Sequence, residues 1–172
     1  MAEKSRFFNS TTSDERLYDA ADMAEVWNTF FTNGVISGLE VSSTSSGLSV
    51  SAGSAIINGY WYKLDSVKTL AIASGTSEHT DTVVLRLDLG SEARNITAVY
   101  KSGTALTEGG DVFEIALAQL TVAANSTTAK SIEDKREPSK VTGKADISSN
   151  ELLSKLLEVS GSGSCLLYTS DA

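Results

Sequence analysis

Asn58-Gly59, set between Ala55-Ile56-Ile57 and Tyr60-Trp61-Tyr62, constrains the fold of this chain more than any other pair of residues. A two-residue turn that matches the twist of its flanking strands needs positive φ at both central positions, and Asn-Gly supplies that at little cost. A tight β-hairpin is therefore expected, and the sequence on either side repeats the theme. Leu39 and Val41, then Leu48 and Val50, alternate with polar neighbours around a loop-like run from Ser42 to Gly47. Val67, Leu70 and Ile72 fit a further strand, and Ser74 to Thr80 reads as a turn. Val83 to Leu89 begins as a continuous apolar run and ends alternating, and Ile96 to Lys101 answers it across Gly90-Ser91-Glu92. A polar loop from Thr104 to Gly110 precedes Val112 to Val122, which reads as a long strand although its pattern is also compatible with a helix. Short strands punctuated by turns at this spacing predict a mainly β chain, an antiparallel β-sandwich or barrel-like domain, with the sandwich preferred.

One stretch breaks the period of two. In Asp19 to Gly34 the residues Met23, Val26, Trp27, Phe30 and Phe31 fall at i, i+3, i+4, i+7 and i+8, one broad face of a short amphipathic helix. Asp19 is an N-cap acceptor with Asp22 three positions on, and Asn33-Gly34 is expected to close the helix with a left-handed stop. A helix this short is marginal alone, so its apolar face needs a partner, either the β-rich remainder of the chain or another copy of it. Ahead of it lies a polar arm with the outcrops Phe7-Phe8 and Tyr18, expected to dock on its own domain or on a neighbouring protomer.

From Asn125 onward hydrophobicity thins, and the single proline, Pro138, followed by Gly143 marks a linker or an extended exit strand. Ser148 and Glu151 then form a capping box ahead of Leu152, Leu153, Leu156, Leu157 and Val159. These predict a C-terminal helix that either opens a coiled coil or lies back on the sheet. Residues 160–164 have linker composition. The boundaries that follow are an arm over 1–18, a helix plus β-sandwich over 19–137, a linker and helix over 138–159, and a disordered tail over 160–172.

Composition excludes several classes of function. A net charge of −8, with the densest basic cluster between Lys130 and Lys140 interrupted by Glu133, Asp134 and Glu137, offers no stripe for nucleic acid. Apolar runs are too short to cross a membrane as helices, and the N-terminus lacks the apolar centre of a secretory signal, so no membrane partner is expected. With one histidine and one cysteine in 172 residues, neither a histidine-rich nor a multi-cysteine metal site is available. His79 and Asp81 belong to a conceivable serine–histidine–acid set, but Ser77-Glu78-His79-Thr80 reads as an exposed turn without a nucleophile elbow. The carboxylates Asp65, Asp88, Glu92, Glu108, Asp111 and Glu114 are spread one or two per loop. Neither catalysis nor a cofactor is expected, and the chain reads as a non-enzyme. Tyr60-Trp61-Tyr62 has rings that could stack on a sugar face, but on an alternating strand Trp61 points opposite to its two neighbours, so core packing for one side and an interface for the other is the expectation.

Several phrases together carry a resemblance. Phe7-Phe8-Asn9-Ser10, Asp14-Glu15-Arg16-Leu17-Tyr18-Asp19-Ala20-Ala21-Asp22-Met23, Phe31-Thr32-Asn33-Gly34-Val35, Gly47-Leu48-Ser49-Val50 and Gly53 to Trp61 resemble the opening of tail-tip proteins of long-tailed phages and prophages of Gram-positive hosts. Val83 to Asp88 and Ile132-Glu133-Asp134-Lys135-Arg136 are similar to that family as well. The resemblance spans about residues 6–137. It implies an N-terminal module that anchors a baseplate, tail-fibre or receptor-binding protein to the virion, made in the bacterial cytoplasm. It also implies a homotrimer among other tail proteins, with host cell-wall polysaccharide bound by a C-terminal part. Interface residues expected on this reading are Phe7, Phe8, Tyr18, Trp27, Phe30, Phe31, Leu152, Leu153, Leu156 and Leu157. The alternative is a carbohydrate-binding module that recognises host cell-wall polysaccharide through Tyr60, Tyr62 and loop carboxylates. Residues 165–172, CLLYTSDA, resemble translated transposase adapter from sequencing libraries, so the natural protein is expected to continue beyond Ser164.

Overall fold

A computed structural model describes residues 7–136 except Asp14 and Arg16. The expected C-terminal helix, with Leu152, Leu153, Leu156 and Leu157, and the tail over 160–172 lie outside the described residues. The chain is mainly β with antiparallel sheets, as the sequence predicts, and among the described residues it has one short helix, the expected N-terminal one.

The helix, α1, runs Ala20–Phe30. Its start is a reciprocal capping box: the Asp22 N–H donates to the Asp19 carboxylate at 2.9 Å, and the Asp19 N–H donates to the Asp22 carboxylate at 3.2 Å. Its end differs from expectation. Phe31 leaves the helix in an extended conformation, φ −125° and ψ 147°, with its N–H on the Trp27 carbonyl, so no left-handed residue closes it. Asn33 is used otherwise, as described below.

Among the described residues eleven strands follow: β1 (Gly34–Gly38), β2 (Val41–Thr44), β3 (Gly47–Val50), β4 (Gly53–Ile57), β5 (Tyr60–Leu64), β6 (Lys68–Leu70), β7 (His79–Asp88), β8 (Asn95–Lys101), β9 (Glu108–Gly109), β10 (Val112–Val122) and β11 (Ala129–Asp134). They form three antiparallel sheets, β1-β4-β5, β2-β3-β6 and β11-β10-β7-β8, with β9 pairing beside β10. The β4–β5 turn is the Asn-Gly hairpin, with φ of 49° at Asn58 and 79° at Gly59. The thinning sequence after Asn125 is an exit strand over its first part, since β11 pairs along the end of β10.

All three sheets give side chains to one core. Leu48 and Val50 come from β3, Ala55 and Ile57 from β4, Leu85 and Leu87 from β7, and Leu117 and Leu120 from β10. On β7 the positions Val83, Leu85 and Leu87 face this core. Thr82 and Arg86, of the alternate set, instead meet polar partners, which makes room for charge beside the apolar interior.

Candidate functional site

The face of α1 is set by what can approach the hairpin. Gly59, in the left-handed region, comes so close that a Cβ there would lie 1.9 Å from the Ala24 carbonyl oxygen. The approach is to the backbone of Ala24, so it needs a glycine at 59, and Ala24 is the buried residue of α1. Asn33 locks the arrangement: its amide nitrogen donates to the Asn58 side-chain oxygen at 3.0 Å, and its own oxygen accepts the Asn58 N–H at 2.7 Å. Seated on its small residue, the helix turns its large ones outward. Met23, Trp27 and Phe30 are 46%, 44% and 54% exposed. The apolar face foreseen for α1 therefore does not enter the core.

Trp27 and Phe31 stack at 5.9 Å and form one wall of an open groove. Its other walls are Val35 and Ile36 of β1, Ile56 of β4 and Trp61 of β5, around a space of about 570 Å³. Ile36 sits at an irregularity in the β1–β4 register, and it points outward while Val35 stays in the core. The arm folds toward the start of the helix. The Phe7 and Tyr18 rings lie 5.6 Å apart, the Phe8 N–H donates to the Tyr18 hydroxyl at 2.9 Å, and Phe7, Phe8 and Tyr18 all remain exposed. Of the expected interface residues, Trp27 and Phe31 are thus brought together in the groove and Phe30 stands on the same short helix. Phe7, Phe8 and Tyr18 cluster ahead of it, and the four leucines fall outside the described residues.

The aromatic triplet divides as its alternation predicts. Tyr60 and Tyr62 pack against the core, whereas Trp61 is 63% exposed. Both tyrosines are half-buried, and Tyr60 also lines a second open cavity beside Trp61.

Two polar clusters were not legible in the sequence. Glu114, with its side chain fully out of solvent, accepts from Arg86 at 2.7 Å, from Lys101 at 2.6 Å and from the Thr107 N–H at 2.8 Å. Burial alone would raise its pKa, but the hydrogen bonds from Lys101, the Thr107 backbone and Arg86 outweigh burial and hold it at about 2. Asp81, also buried, accepts from the Tyr100 hydroxyl, from the Gly103 N–H at 2.8 Å and from His79 Nε2 at 3.1 Å.

His79 and Asp81 do meet, but the other imidazole nitrogen, Nδ1, lies 2.9 Å from the Ser77 carbonyl. Both nitrogens face acceptors, an arrangement that favours the protonated ring. The pKa of His79 is raised accordingly, first by the Ser77 carbonyl and then, against some desolvation, by the charge of Asp81. The serine contributes its backbone and not its hydroxyl, and the resulting triad is a strand-end clasp. Gly75 gives the ring its room, since a Cβ there would stand 2.8 Å from the imidazole.

Among the described residues the candidate site is therefore an exposed aromatic groove with the arm beside the start of its helix. Compared with models of known protein families and with curated proteins, the chain matches none.

Proposed function

We propose that this chain is a non-enzymatic anchoring module of a phage tail tip, attaching a baseplate, tail-fibre or receptor-binding protein to the virion through its arm and first helix. The observation that carries the reading is the outward turn of α1. Phe30, Met23, Phe7 and Phe8 present large apolar area to solvent beside a helix held firmly from behind. Exposed aromatic patches of this kind mark protein–protein contact, because Phe and Trp deliver most burial energy for little rotamer entropy. The buried ionisable groups support a structural role, since Glu114 and Asp81 spend their hydrogen bonds on neighbouring strands and loops. The carbohydrate-binding alternative retains Trp61 as its outward ring and is the weaker reading.

Co-expression with the products of the genes flanking its reading frame, followed by native mass measurement, tests the proposal. The expected result is a stable complex with a tail component that Phe30→Glu disrupts while the chain itself stays folded. A chain that remains alone with every neighbouring product overturns it.

A further inference from the structure

We propose that the groove between α1 and the β4–β5 hairpin receives the chain's own leucine segment, residues 152–157, laid along it as an amphipathic helix. Three observations converge on this occupant. The first is where the described chain ends. Arg136 donates from its guanidinium to the Gly38 carbonyl at 2.9 Å, at the end of the strand whose Val35 and Ile36 line the groove. Gly38 and Ile36 are two residues apart, about 7 Å along a strand. The last described residue is thus tied by its side chain to the strand that lines the groove.

The second observation is length. Residues 137–147 precede the capping box at Ser148, and eleven residues span up to about 36 Å when extended. That reach exceeds what is needed to turn back from Gly38. A helix from Ser148 to Val159 is about 18 Å long.

The third is chemistry. The groove walls are indole, phenyl and branched aliphatic groups. Leu152, Leu153, Leu156 and Leu157 make two adjacent ridges on one helix face, with Ser154, Lys155 and Glu158 on the other. Laying such a stripe into an apolar groove is a general mode of helix recognition. A tether this short also gives the segment an effective concentration on the order of millimolar, which favours the attached copy over a second chain at ordinary dilution. Leucines seated in this way are withheld from coiled-coil pairing in the free chain. The inference does not depend on the identity of any assembly partner.

The full chain carries its own reporter, because it has two tryptophans and both Trp27 and Trp61 line the groove. Tryptophan emission and acrylamide quenching are compared between wild type and a Leu153→Glu/Leu156→Glu variant over about a hundredfold dilution series. The expected wild-type signal is short-wavelength emission with strong protection from quencher at every dilution. In the variant, emission shifts to longer wavelength and quenching rises, while the β-sheet melting transition is unchanged. A synthetic peptide of residues 148–159, added to the variant, restores protection. Equal emission and quenching in the two proteins overturns the proposal. So does protection that vanishes on dilution together with a fall in mass, which assigns the groove to a second copy.

Discussion

Glu114→Gln is the substitution that most directly probes how this domain is held together. Glu114 and Arg86 sit directly opposite one another on β10 and β7, and Lys101 of β8 reaches the same carboxylate, so one side chain joins three strands. Glutamine keeps the volume but has a single acceptor oxygen, and its amide nitrogen must then face a cation or the Thr107 N–H. The magnitude follows from linkage. A carboxyl held at about 2 in the folded state against 4.5 when free is worth about 3 kcal/mol at neutral pH. Removing one partner of a buried ion pair independently costs about 3–5 kcal/mol. For a domain of this size that is a fall in Tm of about 10 °C. Because the folded pKa is depressed, the contribution is complete above about pH 4.5 and is lost as pH falls toward 2. Urea unfolding followed by circular dichroism at pH 7 and at intervals down to pH 2 is the assay. The midpoint should drop with the slope unchanged, and the gap between wild type and variant should close through that acidic window. A variant within about 0.5 kcal/mol of wild type at pH 7 refutes the reasoning, as does a gap independent of pH.

Gly59→Ala introduces a Cβ 1.9 Å from the Ala24 carbonyl at a residue with φ +79°, so it combines backbone strain with overpacking and should cost about 2–4 kcal/mol. Hydrogen exchange should localise the loss to α1 and the hairpin, and an α1 that keeps wild-type protection contradicts the proposed seating. His79, whose pKa is raised, contributes stability that is complete below about pH 6.5 and is lost as pH rises through its folded pKa. Wild type should therefore be more stable than His79→Gln at pH 6 by a margin that shrinks at alkaline pH, and a margin constant across that range argues against the clasp.

The elements whose signals are local were readable before the structure. Asn58-Gly59 forms its turn because positive φ is a property of the two residues themselves, and the Asp19–Asp22 box needs only neighbours three positions apart. The long strands β7, β8 and β10 follow from their apolar runs. Periodicity also says that Trp27, Phe30 and Phe31 share a side of α1, yet it carries no information on whether that side meets the core. That is decided by the close approach of Gly59 to Ala24, a contact between a turn and a helix that no hydrophobic pattern encodes. Glu114 looks like an ordinary polar position in an alternating strand, because its cations lie 28 and 13 residues away in the chain. His79 reads as a turn because β7 begins four residues before its apolar run starts at Val83. Asn33 carries a helix-stop signature but is recruited by Asn58, whose own turn geometry brings its N–H within reach.

The Arg136–Gly38 bond joins positions 98 residues apart, whereas the Asn33–Asn58 clasp joins positions 25 apart, and this difference imposes an order on biosynthesis. Helix and hairpin can associate as soon as both have left the ribosome. The strands that complete the core, β7 and β10, extend to Val122, and adding the residues from Tyr60 to Val122 takes on the order of 3–13 s at about 5–20 residues per second. Throughout that interval the nascent chain displays Trp27, Phe30 and Phe31 with no finished domain behind them. The aromatic face left outside the core in the finished domain is thus also the first large apolar surface the chain makes, well before the core behind it is complete.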